Sequence, residues 1–397
     1  MSKIVYLISF FTFAGFYAVL AILISWGLTD FTRYINVPLR LVTSFFMIYL
    51  ITRCFSKKSF VGYNGFFLIL FCFFWILYLF KIIWHYGTGL ELNRQWYEYV
   101  FYALNFSFLP FITFFSINFN KYKNVILSAF LFSGFVMGLL SFYLYKDILV
   151  MGIGRISNIV YTDSDQSTLS PLALSYAGSL TISLCIYKFL YEGNSLSKIQ
   201  LIYLFLNLVL SIIMFYLGAS RGSVVALFLS ILVLFYYGGF KIKLNFLTFG
   251  LLFFPLLIFG SIKMGSSVFS RTTNTLESDS IGVREKLWLD AWNEFLNYPF
   301  LGGRIEIGFY PHNFILEVLM ATGFIGFILL FSIILKGIIN LHRRTYYEIG
   351  YIWVLIVLSQ GLVQYIFSGS IYLAILMFLP LGIAFSRSFQ IFNKFHF

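Results

Sequence analysis

Charged side chains are scarce in this chain. They make up 11% of its 397 residues, while hydrophobic residues make up 60%. A soluble domain carries about 25% charged residues. Long apolar runs and a mean hydropathy of +0.89 therefore exclude an ordinary soluble domain and indicate a polytopic helical membrane protein.

Cysteine and the common catalytic motifs are also nearly absent. The three cysteines, Cys54, Cys72 and Cys185, lie in or beside hydrophobic runs without paired spacing, so neither a disulfide framework nor a metal site is indicated. The sequence has no phosphate-binding P-loop, no HExxH zinc motif and no serine nucleophile elbow. Asp163-Ser164-Asp165 resembles the DxD pair that holds a metal ion in enzymes that use nucleotide sugars. The topology derived below places it on the outer side of the membrane, where nucleotide sugars are absent, so it is interpreted as a turn.

Apolar runs of the length that crosses a bilayer, about 20 residues, organise the whole chain. The first, Ile4 to Ser25, is too long for a signal peptide and is interpreted as an uncleaved span. The predicted fold is an all-α polytopic membrane protein with about 12 transmembrane helices, at residues 4–25, 35–52, 60–83, 97–117, 124–145, 168–190, 199–217, 222–237, 244–262, 313–335, 349–367 and 370–386. The fourth is interrupted by Asn105 and Pro110.

The basic residues behind the net charge of +12 are unevenly distributed between the two sides of the membrane that these spans define. With the N-terminus inside, the cytoplasmic segments hold fifteen basic residues and two acidic ones, and the opposite side holds the other twelve basic and thirteen acidic residues. This is the positive-inside pattern. It predicts that both termini are cytoplasmic, and it argues against a nucleic-acid partner.

Two outer loops are sizeable within what is predicted as a single membrane domain, residues 1–397. The smaller covers residues 146–167, and the larger covers 263–311, between spans 9 and 10. Loops of that length in a compact protein are usually functional or disordered. The larger loop has helical patterning, which favours function.

The larger loop contains an amphipathic stretch from Val283 to Asn297. Pro299 and Gly302-Gly303 are expected to end this helix. Its two tryptophans suit a helix lying at the membrane interface. Arg284 shares a face with Trp288 by helical spacing. Its guanidinium is expected near the lipid headgroups, either as a ligand-binding cation or as a snorkelling or capping arginine. The predicted apolar face consists of Leu287, Trp288, Ala291, Trp292, Phe295 and Leu296.

Pro311-His312-Asn313 closes the loop at the start of the tenth span. Asn313 is a good N-cap, so His312 is expected at the mouth of the helix, where free N–H groups favour an anion. A histidine there can act as a base or as a phosphate donor, although a lone histidine at a span end is more often structural. Only His85 and His312 of the four histidines fall on the outer side. Glu317, one turn into the span, needs a cavity or a partner and could orient His312 or contact a sugar hydroxyl.

Arg221 lies in a small-residue segment, Gly218 to Gly222, between the seventh and eighth spans. An arginine at the membrane surface needs an anionic partner, and a bidentate guanidinium suits phosphate oxygens. Arg155, Arg271 and Arg304 are weaker candidates for the same substrate, because single arginines in exposed loops are usually solvated.

These residues, in this order, resemble the superfamily of O-antigen polymerases and ligases of bacterial envelopes. The matching pieces are Ser220-Arg221-Gly222, Arg284 with Trp288 and Trp292, Asn297 to Gly302, and His312-Asn313 followed by Gly323 and Gly326. The resemblance has motif support from about Leu217 to Leu335 and does not separate the two branches.

The resemblance implies a glycosyltransferase of the GT-C type in the bacterial inner membrane, with its active site on the periplasmic face. Its substrate would be a glycan on undecaprenyl diphosphate, and it would need neither metal nor nucleotide. Arg221 and Arg284 would hold the diphosphate, with His312 as base or further phosphate contact. Membrane lipid and a chain-length regulator protein are the other partners implied.

Three functions remain open at this point. A polymerase adds the glycan to another lipid-linked repeat unit, and it is favoured by two arginine-bearing outer loops and by the spacing of Arg271 and Gly282. A ligase transfers the finished chain to lipid A-core, and the histidine motif suits it equally. A flippase or other transporter is disfavoured, because it should carry ionisable residues at the bilayer midplane, and the ionisable residues here cluster at the outer surface.

Overall fold

The computed structural model describes residues 1–55, 63–90, 92–151, 156, 169–263 and 279–386. Its helices are α1 Ser2–Phe10, α2 Phe16–Ser25, α3 Thr32–Cys54, α4 Tyr63–Gly87, α5 Trp96–Ala103, α6 Leu109–Ser116, α7 Phe119–Met151, α8 Pro171–Glu192, α9 Lys198–Gly218, α10 Arg221–Tyr237, α11 Phe240–Lys263, α12 Asp279–Asn297, α13 Phe314–Tyr347, α14 Ile352–Phe367 and α15 Ile375–Ala384. Arg155 and Arg271, both predicted to contact substrate, lie outside the described residues, as does Asp163-Ser164-Asp165.

The membrane-spanning character predicted from composition is confirmed. Within the described ranges, nine helical segments are long and apolar enough to cross a bilayer, and two shorter apolar helices, Arg221–Tyr237 and Ile375–Ala384, accompany them. Each of the twelve predicted spans overlaps a helix. The number twelve itself stays a prediction, because the shorter helices fall below the usual length of a span.

The fourth span is interrupted where Asn105 and Pro110 were expected to interrupt it. A π-helical turn, Leu104–Phe108, separates α5 from α6. The Asn105 side chain donates to the carbonyl of Phe101 at 2.8 Å and accepts from the hydroxyl of Ser44. The amide that disturbs the helix is thus satisfied inside the protein, as an apolar environment requires.

Helix α7 is kinked where the fifth span was expected to end. Tyr145, the last residue of that predicted span, has non-helical φ and ψ of −118° and 17°, and a helical segment continues from there to Met151. The bounds of the smaller outer loop, 146–167, stay a prediction. The remainder of that loop, apart from Ile156, lies outside the described residues.

The chain divides into two compact units. The first comprises Met1–Thr43, Tyr122–Thr275 and Ile349–Val363, and the second comprises Ser44–Lys121, Leu276–Glu348 and Gln364–Phe397.

The first unit has a core of closely packed helices tied by polar side chains. A Cβ on Gly178 of α8 would lie 2.7 Å from the backbone nitrogen of Phe215 in α9, so the two backbones touch. The buried amide of Gln360 donates to the hydroxyls of Ser183 at 3.0 Å and Ser230 at 2.9 Å. It also accepts from Ser179 at 2.7 Å. In a membrane the surrounding lipid is as apolar as the protein core, so helices associate through close packing at small residues and through hydrogen bonds between polar side chains.

The second unit is built around α13, which is broken at Gly323. This glycine has a φ of +63° and a ψ of −162°, a conformation that only glycine adopts readily. The break frees backbone groups, and the segment Pro299 to Gly303 binds them. Phe324 donates to the carbonyl of Pro299 at 2.8 Å, Ile325 donates to Phe300 at 3.3 Å, and Gly303 donates to Met320 at 2.8 Å.

This arrangement fixes the loop that leads to His312. Gly302, with a φ of +73°, lies so close that a Cβ there would be 2.4 Å from the carbonyl carbon of Ala321. Lys81 of α4 donates to the carbonyl of Gly302 at 2.7 Å, and the buried His85 of α4 interacts with the backbone of Gly303. We call Pro299 to Gly303 the docked loop.

Candidate functional site

The structure brings together two of the three residues predicted to act in catalysis. Arg284 and His312 both lie in the second unit, at the end of α13 that begins with Phe314. Arg221, the third, lies in the first unit at the start of α10.

Helix α12 carries Arg284 and is longer than predicted. It begins at Asp279, four residues before the expected start at Val283, and ends at Asn297 as expected. Ala291 and Phe295 of the predicted apolar face are buried, whereas Trp292 and Leu296 are 42% and 56% exposed. The buried stripe is therefore narrower than the apolar face. Exposed apolar side chains suit a helix at the lipid interface, and that location stays a prediction.

Two contacts fix α12 next to the start of α13. The indole of Trp288 donates to the carbonyl of Pro311 at 2.8 Å. One guanidinium nitrogen of Arg284 donates to the carbonyl of Phe367, at the end of α14, at 3.3 Å. Arg284 is half-buried, and among the described residues this backbone bond takes one of its five N–H groups.

His312 is held in a conformation that non-glycine residues rarely adopt. Its φ is +55°, in the left-handed region, which costs roughly 1–3 kcal/mol for such a residue. Within the described residues, its buried Nδ1 has no hydrogen-bond partner. Strain of this kind is common at functional sites, where the surrounding structure maintains it.

Burial and the charge of Arg284 keep the imidazole of His312 neutral. Burial is the larger cause and the neighbouring guanidinium the smaller, and together they lower the pKa of His312 from 6.5 to about 4. A neutral imidazole at pH 7 can accept a proton, which is what a general base must do.

Asn313 caps α13, as its sequence position predicted. Its side-chain oxygen accepts from the backbone N–H groups of Ile315 at 3.0 Å and Leu316 at 3.3 Å. A contact between Asn313 and substrate is a separate expectation and stays a prediction.

Glu317 has partners other than His312. It is 1% exposed and accepts from the hydroxyls of Tyr78 at 2.7 Å and Ser370 at 2.6 Å. Its second oxygen accepts from the backbone N–H of Ile371 at 3.0 Å. The need for a partner was predicted correctly, but these donors come from α4 and from the turn after α14. Contact with a sugar hydroxyl stays a prediction.

A second buried carboxylate, Glu306, was not identified from the sequence. It is 6% exposed and accepts from the hydroxyl of Tyr99 at 2.5 Å and the backbone N–H of Asn93 at 3.1 Å. It lies in the larger outer loop, 263–311, where the predicted candidates were only basic residues and those of the amphipathic stretch. An acid between two isoleucines, in the run Arg304-Ile305-Glu306-Ile307, was the signal available.

Arg304 and Arg221 occupy different surroundings. Arg304 is exposed, and its backbone N–H donates to Glu294 at 2.9 Å.

Arg221 is half-buried beside the buried Gly222 and Ser223. The Ser220 backbone N–H before it donates to the hydroxyl of Ser175 at 3.1 Å. Arg221 is the first residue of α10, and its expected place at the outer membrane surface stays a prediction.

Fold and site together define a multi-pass helical membrane protein with a neutral histidine beside an arginine where a long helix begins. Residues 206–331 match the model of a family described as O-antigen ligase, a segment that includes Arg221, Arg284 and His312. This match covers about a third of the chain and supports the resemblance to the superfamily of O-antigen polymerases and ligases. No curated protein matches the chain.

Proposed function

We propose that this protein is an O-antigen polymerase. It would transfer a glycan from undecaprenyl diphosphate to a second lipid-linked repeat unit, at the periplasmic face of the bacterial inner membrane. The observation that carries the proposal is the placement of Arg284 next to His312 at the start of α13, inside the segment that matches the family.

Each residue then has a defined task. A hydroxyl oxygen of the acceptor sugar bonds to the anomeric carbon of the transferred glycan as the bond from that carbon to the diphosphate oxygen breaks. The electron pair leaves with the diphosphate, and a ring nitrogen of His312 takes the hydroxyl proton. Arg284 stabilises the charge that grows on the diphosphate, an interaction that is stronger in the transition state than in the ground state.

The low pKa of His312 argues against its alternative role as a cation that binds phosphate, and the assignment as base rests on its position beside Arg284 at the start of α13. At about 4, this pKa leaves the imidazole uncharged at neutral pH, so the positive charge for the diphosphate comes from arginine. Protein cations then supply the charge stabilisation that a metal ion supplies in other transferases. Arg221, assigned to the diphosphate by the resemblance, stays a prediction.

A ligase is the second candidate, because the matching family is described by that activity. The polymerase is favoured by the two sizeable outer loops, 146–167 and 263–311, each with arginines. The chemistry at the diphosphate would be the same in both, and only the acceptor would differ.

The test is lipopolysaccharide banding on a gel. A strain deleted for this protein would be complemented with wild type or with Arg284→Ala, His312→Ala or Arg221→Ala. Arg343→Ala is a matched control, because Arg343 is exposed near the opposite end of α13. Membrane levels of every variant would be measured by immunoblot.

A polymerase predicts core with one repeat unit and no ladder in the deletion strain, whereas a ligase predicts bare core with polymer left on the carrier lipid. Loss of one preorganised charge contact costs roughly a hundredfold to a thousandfold in rate, so Arg284→Ala should abolish the ladder while Arg343→Ala retains it. A normal ladder with Arg284→Ala and His312→Ala would refute the site.

A further inference from the structure

An aromatic stack stands beside the proposed base. The ring centroids of Phe309 and Tyr310 are 4.4 Å apart, with 26° between the ring planes. The imidazole of His312 lies 4.5 Å from Tyr310 and 5.2 Å from Phe309. We call Phe309, Tyr310 and His312 the aromatic stack. It is not a buried core cluster, because Phe309 is 39% exposed and the other two rings are half-buried.

Packing continues from the aromatic stack to two buried tyrosines, Tyr372 and Tyr99. Tyr372, which is 1% exposed, meets Tyr310 edge to face at 6.4 Å and Tyr99 edge to face at 5.2 Å. Tyr99 is in turn fixed by its hydrogen bond to Glu306. The stack therefore packs against the buried Tyr372, which packs against the hydrogen-bonded Tyr99, and its rings are held in place before any ligand arrives. Such preorganisation lowers the entropic cost of binding.

The chemistry of the stack suits a sugar ring. A pyranose presents a face of C–H bonds, which carry partial positive charge and pack against the negative face of an aromatic ring. Two aromatic rings, Phe309 and Tyr310, lie next to the residue that would accept the hydroxyl proton, and they place such a surface where the reacting sugar must lie. A charged ligand would instead require a cluster of cations, and the stack itself contains none.

We propose that Phe309 and Tyr310 form the subsite for the pyranose ring joined directly to the diphosphate. The inference rests on the proposed function, because it assumes that Arg284 holds the diphosphate. The sugar next to the diphosphate would then be one ring away from Arg284, over the aromatic stack and within reach of His312. Stacking requires a pyranose face but no particular pattern of hydroxyls, so the subsite would accept several sugars.

Binding to two carrier lipids tests this subsite. The first probe is the lipid-linked glycan extracted from a strain deleted for this protein, and the second is undecaprenyl diphosphate without sugar. Affinities would be measured by scintillation proximity on the full chain in nanodiscs. The variants are Phe309→Ala, Tyr310→Leu, Tyr310→Phe and Arg284→Ala. The control is Tyr346→Ala, an exposed aromatic residue near the far end of α13.

Removal of one stacking ring should weaken binding of the glycan-bearing lipid by roughly threefold to tenfold and leave binding of the bare lipid unchanged. Tyr310→Phe keeps the ring and should bind like wild type. Arg284→Ala should weaken binding of both lipids. This contrast would support the subsite, and it separates a lost sugar contact from a misfolded protein, which would bind neither lipid.

Two results would overturn the inference while leaving the proposed function standing: unchanged affinity for the glycan-bearing lipid in Phe309→Ala and Tyr310→Leu, or equal loss for both lipids in these variants. If wild type binds neither lipid better than it binds a vesicle phospholipid, the proposed function fails, and the subsite fails with it.

Discussion

At the scale of single residues, His312 combines strain, burial and a neighbouring charge. On acidification, kcat/KM should fall only when the imidazole of His312 in the substrate-free enzyme becomes protonated. Because its pKa is lowered to about 4, the neutral form persists on acidification through 6.5, where an ordinary histidine is half protonated, and is lost only near pH 4. The pH dependence of kcat/KM reports the groups of the free enzyme, and we expect it to stay level down to about pH 5.

The variant Arg284→Gln sharpens this prediction. Removal of the like charge should move the acidic limb of its residual kcat/KM to higher pH. The shift should be partial, because burial is the larger cause of the low pKa. An acidic limb near pH 6.5 in wild type, measured with lipid-linked substrate in proteoliposomes, would contradict the structure.

Glu317 should matter for stability. The change Glu317→Ala leaves the Tyr78 hydroxyl, the Ser370 hydroxyl and the Ile371 N–H without their acceptor. Each buried donor left unsatisfied costs roughly 1–3 kcal/mol. We expect a marked drop in the thermal unfolding midpoint of the detergent-purified protein.

Two further variants control for that effect. Tyr78→Phe removes one of the three hydrogen bonds and should lower the midpoint less, while Glu285→Ala changes an exposed acid of α12 and should change it little. A midpoint for Glu317→Ala equal to that of Glu285→Ala would mean that this carboxylate does not support the fold.

The contacts that the sequence predicts are those between residues close in the chain. Asn313 was recognised as a cap because its partners, Ile315 and Leu316, follow it directly. The partners of Glu306, Tyr99 and Asn93, are 207 and 213 residues away. No local pattern brings such distant residues together, so the partners of this buried carboxylate could not be predicted.

At the scale of elements, the pairing of the docked loop with the break in α13 is the main feature. Gly302→Ala and Gly323→Ala should each prevent it. Both glycines have positive φ, and a Cβ on either would lie 2.4 Å from backbone atoms of the other segment. Backbone cannot move aside as a flexible side chain can, so a large loss of folded protein is expected from fluorescence-detected size exclusion.

Gly308→Ala is the matched control. Its φ is +83°, but no atom of the described residues lies within 4 Å of the position of its Cβ. Gly308→Ala should therefore destabilise the protein only through its strained backbone conformation, by roughly 1–3 kcal/mol. If Gly308→Ala and Gly323→Ala lower the yield equally, close backbone approach is not what requires glycine at Gly323.

Element boundaries were predictable where a breaker residue stands at the boundary. Pro299 and the glycines after it ended α12 as expected, and Asn105 with Pro110 interrupted the fourth span. The start of α12 has no such signal, and that helix begins four residues before the predicted limit. The break at Gly323 could not be predicted, because glycine within an apolar helix usually serves close packing.

At the scale of the whole molecule, the distribution of charge predicts which end of α13 faces which side. Arg304, before α13, should be outside, and Arg343, near its end, should be inside. Arg304→Cys and Arg343→Cys would be made in a variant in which Cys54, Cys72 and Cys185 are replaced by serine. A maleimide that cannot cross the membrane should label the first in whole cells and the second only after permeabilisation. The reverse pattern would place His312 on the cytoplasmic side and exclude the proposed substrate.

The helical membrane class followed from composition, because few structures other than helices satisfy the backbone in lipid. The division into two units did not follow, since each unit is assembled from three separate stretches of the chain. Hydropathy finds spans but carries no information about which of them pack together.

The docked loop also has a consequence for cutting the chain. Residues 304–311 are held at both sides, by the docked loop on α13 and by the Asn313 cap. A break in the peptide between Gly308 and Phe309 would leave every one of those contacts in place. Helices on either side of the cut, α4 and α13, already share the second unit. Two fragments, 1–308 and 309–397, expressed from separate genes should therefore reassemble in the membrane. They would form a split protein whose halves could be varied independently.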